Sequence, residues 1–391
     1  NWVILIAFQE SVKGEAAVFW LILVLALLWL GYLLVESRQA SRARSQITHI
    51  VHVNGTRGKS TVCRLIEAGL RAGGLRVFCK TTGTDPMTID VEGREALIRR
   101  RGRANIKEQL AILRRAAAQG AQGMVVECMA VQPELQRAAQ QDILRADIGV
   151  ITNVRRDHTD VMGDTLEQIC DALCNTVPRN GVLFTAEEEQ AGRMSAWAGQ
   201  LSCAFVPVRP QGDEPALDFP ENTALALAVC QHLGVERATA LEGMARFRRD
   251  PYALSLHRLG RGVFINGLSI NDIQSTCMVW ETLREKYGLE DRELILLVNN
   301  RPDRGSRTED MLAACLALRP QQVWLMGAAR AYMRRGLARR LPQCRIRELK
   351  GPRDVAPDSL EEKQVIFAVG NIANGGRELM ALVREEGTEL V

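Results

Sequence analysis

The sequence predicts an α/β protein with a single N-terminal transmembrane helix, a parallel-sheet domain of the P-loop type and a smaller Rossmann-like C-terminal domain. Three observations predict it. Residues 16–35, AAVFWLILVLALLWLGYLLV, carry no charge. From Gln46 onward, short apolar runs alternate with helical stretches. The first of these runs ends in a glycine-containing turn that leads into a lysine, VHVNGTRGKST at 51–61.

Twenty residues at the helical rise make about 30 Å, the hydrocarbon thickness of a bilayer. Trp20, Trp29 and Tyr32 supply aromatic rings of the kind that anchor a span at its interfaces. Arg38, Arg42 and Arg44 follow the span, whereas Lys13 before it is offset by Glu10 and Glu15. The positive-inside rule then places everything after Arg38 in the cytoplasm: a single-pass protein of the cell membrane with the domains after the span cytoplasmic. Residues 1–8, NWVILIAF, are apolar but too few to cross.

Beyond the span, strands are expected at 47–53, 75–79, 124–127, 148–152, 182–185 and 204–208, with helices at 59–72, 106–119, 165–175 and 222–233. Short β runs alternating with helices imply crossover connections and a largely parallel sheet covered on both faces. The Pro- and acid-rich stretch 208–222 reads as a surface loop. A second alternating series starts near Gly260, with strands at 263–265, 294–298, 323–326 and 365–369. The expected organisation is a membrane anchor with its juxtamembrane segment over 1–45, a central domain carrying the glycine-containing turn over 46–255 and a C-terminal domain over 256–391.

Composition excludes several classes. With 47% hydrophobic and 25% charged residues, the chain is neither disordered nor fibrous. Lys+Arg 50 against Asp+Glu 46 leaves a net charge of +4, too small a surplus for an electrostatic nucleic-acid binder. Ten cysteines contain no CxxC pair, which argues against a zinc cage or a secreted disulfide framework and for reduced thiols. Only seven of the basic residues are lysines, so a lysine at a special position stands out.

The turn at 51–61 is the strongest chemical signal. Glycines allow close backbone approach to a polyphosphate, and the first amides of a helix point at it. Lys59 places a point charge on the β/γ oxygens, and the Ser60 hydroxyl suits Mg²⁺. The strict pattern wants glycine five residues before Gly58, where this chain has Val53. Two further runs extend the signal. MVVECM delivers Glu127 at a strand's carboxyl end, where ligands of open α/β sheets collect. ITNVRRDHTDVMG (151–163) holds Asn153, Asp157, His158 and Asp160. Thr82 and Thr84 in CKTTGTDP either line the phosphate site or form a hydroxyl-rich turn. The arginine run at 98–107 is either a guide for a polyanion or the charged start of a helix.

Taken together, the three motifs resemble the Mur ligase superfamily, ATP-dependent carboxylate–amine ligases that include folylpolyglutamate synthase. The matching residues are Gly55, Thr56, Gly58, Lys59 and Ser60; Glu127; and Ile151, Thr152, Asn153, Asp157, His158 and Asp160. VFINGLSINDIQS (263–275), RPDRGSR (301–307) and VGNIANGGREL (369–379) resemble the family's C-terminal domain, so the likeness runs from about residue 47 to the end. With its membrane span, VNGTRGKST and CKTTGTDP, the chain is most similar to the ligase subunits of poly-γ-glutamate synthases.

The resemblance implies ATP and Mg²⁺ as cofactors, with Mn²⁺ as a substitute. It implies Lys59, Glu127 and His158 as catalytic residues. Gly55, Thr56, Arg57, Gly58, Lys59, Ser60, Thr61, Asn153, Asp272, Arg301 and Arg304 would bind the nucleotide. Ser60, Glu127 and His158 would bind the metal. The reaction implied is polymerisation of glutamate through its γ-carboxylate by way of an acyl phosphate. The partners implied are glutamate, the growing chain, the bacterial membrane and integral membrane subunits, with self-association compatible.

Three departures qualify the implication. About 46 residues precede the loop, so a UDP-linked substrate with its own domain is not expected. No lysine occurs between Lys107 and Lys286, where many members carry a carbamylated one. Asn266 and Ser269 stand where the family usually has Asp and His, while Asp272 matches. The alternative from another class is a membrane-anchored P-loop ATPase that powers polymer export without forming a bond.

Overall fold

The computed structural model describes residues 2–83, 85–100, 102, 104–212, 219–302, 305–356 and 360–390, with backbone alone for 2–17 and 305–307. The chain divides into two compact units. One comprises 1–81, 87–153 and 170–246; the other comprises 82–86, 154–169 and 247–391. The polar runs that follow two of the first unit's strands therefore group, by their contacts, with the second unit.

The first unit is built on an eight-stranded sheet: β1 (His49–Asn54), β2 (Val77–Thr81), β3 (Met87–Ile89), β4 (Glu95–Leu97), β5 (Gly123–Glu127), β6 (Ile148–Ile151), β7 (Val182–Thr185) and β8 (Ala204–Pro207), in the order β4-β3-β2-β5-β1-β6-β7-β8. β1, β2, β5, β6, β7 and β8 pair in parallel, and β3 runs against them, pairing antiparallel with β2 and β4. Strands covered on both faces must be apolar throughout, and β1, β2 and β5 are buried along almost their whole length.

The helices in chain order are α1 (Trp2–Ser45), α2 (Lys59–Ala72), α3 (Lys107–Ala118), α4 (Pro133–Arg137), α5 (Thr159–Met162), α6 (Leu166–Cys174), α7 (Ala191–Gln200), α8 (Pro220–His232) and α9 (Arg237–Met244). A π-helix, Ala138–Leu144, continues α4. In α2, Val62, Leu65, Ile66 and Leu70 recur at helical spacing and are fully buried. On the opposite face of the sheet, Ile50, Phe78, Met124 and Val126 close a core with Leu113 and Ala116 of α3.

Several expectations shift. Residues 87–97 carried no expected element, yet they form the antiparallel hairpin β3–β4 on the sheet edge. Residues 98–106 are irregular rather than a helix start, and α3 begins at Lys107; Arg101 and Arg103 lie outside the described residues. The expected loop to 222 ends earlier, because Pro220 opens α8, where its missing N–H is no loss. Within α1, Val18–Ser45 is long and apolar enough to cross a membrane, and its large side chains from Val18 to Val35 are mostly exposed. The last turn is different. Ala43 and the following Ile47 belong to the core with α3, and Arg44 bonds the carbonyls of Ile47 and Arg145 and the Asp147 carboxylate.

The second unit has a seven-stranded sheet: β9 (Ser255–Leu259), β10 (Gly262–Gly267), β11 (Glu293–Asn300), β12 (Gln322–Gly327), β13 (Arg345–Glu348), β14 (Gln364–Val369) and β15 (Gly387–Glu389), in the order β13-β12-β11-β14-β10-β9-β15. Five strands are parallel; β9 pairs antiparallel with β10 and β15. Helices α10 (Ile273–Lys286), α11 (Gly305–Leu318), α12 (Arg330–Arg340) and α13 (Gly376–Glu386) complete it. Phe264, Ile295, Leu297, Ile366, Leu379 and Val383 form one core layer; on another side Trp280 stacks on Phe367 at 6.0 Å.

Candidate nucleotide and metal site

Three adjacent strands, β5, β1 and β6, end at the same edge of the first sheet. Val53 pairs with Glu127 and Asn54 with Ile151. The crevice beyond the carboxyl ends of such strands is where open α/β sheets hold ligands. The loop after β1 is fixed there by β6. Thr56 N donates to Asn153 O at 3.0 Å and Arg57 N to Asn153 Oδ1 at 3.0 Å. Thr152 Oγ1 donates to Arg57 O at 2.6 Å, and Asn153 Nδ2 donates to the same oxygen at 3.2 Å. Asn153 thus spends its amide on the loop backbone and shapes the cradle through it.

Two glycines make the loop achievable. Gly55 has φ +127°, and a Cβ there would lie 2.1 Å from Thr152 Oγ1. Gly58 has φ +81°, and a Cβ there would lie 2.7 Å from Asn222 Oδ1. Gly58 also begins α2, and no side chain caps that helix. The first amides of α2 have no intrahelical acceptor, which leaves an anion-binding end. Thr61 stands half-buried in that first turn. Lys59 Nζ is folded into the loop, donating to Gly55 O at 2.6 Å and Thr56 O at 3.2 Å. Its charge is therefore already inside the cradle.

Ser60 Oγ donates to Glu127 Oε2 at 2.7 Å, joining α2 to the end of β5. Among the described residues no three His, Cys, Asp or Glu side chains converge as a metal cluster. A hydroxyl beside a carboxylate is still the hard oxygen donor set that suits Mg²⁺, an ion that keeps most of its waters. Thr81, at the end of β2 beside β5, has a buried hydroxyl with no hydrogen-bond partner. Behind Glu127 lies Lys80, fully buried, with Nζ 2.9 Å from Glu108 Oε1, 3.0 Å from Gln109 Oε1 and 3.3 Å from Met129 Sδ. Burial pushes the Lys80 ammonium below the ordinary lysine range, against the pull of Glu108. Gln109 Nε2 in turn donates to Glu127 O at 3.2 Å, so this cluster holds the strand end in place.

The remaining expected residues belong to the second unit. His158, with φ +49°, starts α5; its N donates to Asp157 Oδ1 at 2.9 Å and its Nε2 lies 3.9 Å from Asp157 Oδ2. Asp160 follows on α5. Asp272 caps α10, accepting from Ser275 N at 2.7 Å. Arg301 lines a small cavity with Asn271, Asn299, Asn300, Gly370 and Asn371 at the carboxyl ends of β11 and β14. Arg304 and Thr84 lie outside the described residues. Asn266 donates to Ala253 O at 2.8 Å and accepts from Leu268 N, so it ties the end of β10 to the residues before β9.

Reading the sequence alone missed Thr81, Lys80, Asn222 and Asn299. Asn299 is fully buried, donates to Asn371 O at 2.6 Å and Ala373 O at 2.7 Å, and leaves its Oδ1 without a partner. The available signals were a lysine inside an apolar strand and an Asn-Asn pair closing another.

Comparison with known proteins places this geometry. Residues 53–208 match the Mur ligase middle domain, and residues 252–386 match the poly-gamma-glutamate synthase CapB C-terminal domain. The chain is 31% identical to the capsule biosynthesis protein CapB of Bacillus anthracis, over 97% of this chain and 85% of that one. It is also 31% identical to the PGA synthase CapB of Bacillus subtilis (strain 168), over 94% of this chain and 98% of that one. A folylpolyglutamate synthase/dihydrofolate synthase from Yersinia pestis, solved with AMPPNP and Mn ion, superposes with a TM-score of 0.65 at 17% identity. That superposition covers 90% of this chain and 97% of the other.

Proposed function

The chain belongs to the CapB family of poly-γ-glutamate synthases, and on that premise we propose how it works as an ATP-dependent ligase that polymerises glutamate. The observation that carries the mechanism is the Lys59–Ser60–Glu127 arrangement: an ammonium inside a glycine cradle, next to a hydroxyl–carboxylate pair 2.7 Å apart.

A carboxylate resists attack by an amine because its charge repels the nucleophile and oxide is a poor leaving group. In the proposed reaction the glutamate γ-carboxylate takes the γ-phosphoryl of ATP, giving an acyl phosphate and ADP. The amine of a second glutamate then attacks the acyl carbon, and the amide forms as phosphate leaves and the amine sheds its proton. No covalent enzyme intermediate is required, so the protein's part is positioning and charge stabilisation.

The Gly55–Gly58 loop and the open amides of α2 bind the phosphates. Lys59 stabilises charge on the transferring group. Ser60 and Glu127 would hold Mg²⁺, with His158 as the third expected ligand; the ion would supply charge neutralisation to the phosphate oxygens. Asp272 and Arg301 are proposed as nucleotide contacts from the C-terminal domain. The span in α1 supports attachment to the bacterial membrane with the catalytic units in the cytoplasm, and integral membrane subunits are proposed as partners in export. The alternative, an export ATPase that forms no bond, loses ground because residues 252–386 match a synthase domain rather than a transport module.

The test incubates the membrane-embedded chain with ATP, Mg²⁺ and labelled glutamate, sizes the product and traps acyl phosphate with hydroxylamine. Lys59→Ala should abolish both amide and hydroxamate while the thermal melting of the protein is unchanged. ATP consumption undiminished in that variant overturns the assignment.

A further inference from the structure

Charge in the second unit is concentrated on one helix and the neighbouring edge strand. Residues 319–353 contain ten Lys/Arg and a single acid, Glu348, a local surplus of nine positive charges in a chain whose net is +4. Within α12, Arg334, Arg335, Arg339 and Arg340 are all exposed; on β13, Arg345 and Arg347 are exposed on one face of the strand.

Folding does not explain this surplus. Arg330 with Arg334, and Arg335 with Arg339, are like-charged pairs one turn apart, which destabilise a helix. Arg330 also stands at the positive end of the helix dipole, although its guanidinium donates to Leu349 O. Among the described residues, one ion pair offsets the run, Arg334 Nε to Glu348 Oε1 at 3.0 Å. Arg347 lies over the Trp324 ring at 4.9 Å and donates to Asp354 O. Charge on β13 protects an edge strand from unwanted pairing, but that reason does not extend to the helix.

We propose that the α12–β13 face is a docking surface for the growing polyglutamate chain, binding its repeated carboxylates. The inference rests on the ligase reading, since that reading supplies a product with one free carboxylate per residue. Guanidinium groups offer a planar fork that matches a carboxylate. The helix and strand together present an elongated cationic run, suited to an extended polyanion rather than to one small anion. An anionic bilayer fits less well. A helix that lies on a membrane needs an exposed apolar face, and the Met333 and Leu337 side chains of α12 are buried in the core.

The experiment uses the full chain in nanodiscs of zwitterionic lipid and a charge-neutralised form carrying Arg335→Gln, Arg339→Gln, Arg340→Gln and Arg345→Gln. Fluorescence anisotropy with preformed, labelled poly-γ-glutamate reads docking without catalysis. The variant should bind polymer about tenfold more weakly at low salt and make shorter products. Its rate of joining one glutamate to a short acceptor should stay within about twofold of the unaltered chain. Unchanged polymer affinity overturns the proposal. So does unchanged polymer affinity accompanied by lost retention on vesicles of anionic phospholipid, which assigns the face to the membrane. Failure of the unaltered chain to form any amide would count against the ligase reading alone, because the anisotropy still decides the docking face.

Discussion

His52, in the middle of β1, shows what a single buried side chain contributes. Its Nδ1 lies 2.8 Å from Gln140 Oε1 of the π-helix, its Nε2 has no partner, and burial pushes the imidazole from 6.5 down to about 4, with the Gln140 bond opposing and the Lys80 charge assisting. The folded form thus holds the ring neutral where the unfolded chain takes up a proton. Between pH 6.5 and 4 the unfolded state binds more protons, so stability is complete above pH 6.5 and falls as the pH drops toward 4. That shift corresponds to something of the order of 3 kcal/mol. His52→Gln keeps a donor for Gln140 and removes the titration. Between pH 7 and 4.5 the unfolding free energy of the unaltered chain should fall relative to that of His52→Gln as acid is added; parallel curves would contradict the neutral assignment. Nothing in the sequence marked His52, because its environment comes from residues nearly ninety positions away. Lys59, Ser60 and Glu127 were legible for the opposite reason. Their chemistry depends on a local turn and a strand end, which spacing alone displays. Thr81 and Asn222 reach the same crevice only through sheet register and helix docking, which one sequence does not encode visibly.

At the scale of elements, the long periodic ones were readable: the two-sided apolar runs of β1, β5 and β11, and the four-residue recurrence along α2. The hairpin β3–β4 was not, since two strands of three residues each are too short to show alternation. Its turn has a reason to form: Gly93 has φ +79°, and Asp90 Oδ1 accepts from Glu92 N and Arg94 N. The hairpin is tied to the loop-bearing helix by Arg64 of α2, whose Nη1 donates to Glu95 Oε1 at 2.6 Å while its side chain is 1% exposed. A buried guanidinium that loses this carboxylate is costly, so Glu95→Ala should destabilise the chain by about 3 kcal/mol, measured by denaturant unfolding. Arg64→Met combined with Glu95→Ala should recover a large part of that loss, because no buried charge is left behind. A double variant as unstable as the sum of the two singles would show that the pair is not coupled. Since α2 begins at the phosphate loop, the Glu95→Ala chain should also need more ATP for half-maximal activity.

For the whole molecule, the boundary that matters is where the exposed apolar stretch of α1 stops and the packed fold starts. The sequence ends the apolar span at Val35 and starts the next domain at 46. Packing starts the folded core slightly earlier, inside the last turn of the helix. Up to Val35 the described large side chains of α1 face outward, whereas Ala43 and Ile47 are built into the core formed by Ile50, Phe78, Leu113 and Met124. Arg44 adds three hydrogen bonds, to Arg145 O, Ile47 O and Asp147 Oδ1. A hydrophobic helix without interior neighbours contributes little to folding in water, while a buried anchor with satisfied polar groups contributes in full. Two truncations separate these roles. A chain starting at residue 36 removes the apolar stretch and keeps the anchor. It should stay in solution without detergent, melt within a few degrees of the full-length protein, and retain ATP-dependent joining of glutamate, because the loop, Ser60 and Glu127 are untouched. A chain starting at residue 48 also loses Ala43, Arg44 and Ile47, leaving a gap against α3 and a severed bond to Asp147. It should be less stable than the first truncation by about 3 kcal/mol or more in denaturant unfolding. If both truncations proved equally stable, the last turn of α1 would be only a tether; if the first unfolded, the exposed stretch would have a structural role that its lack of interior contacts does not explain.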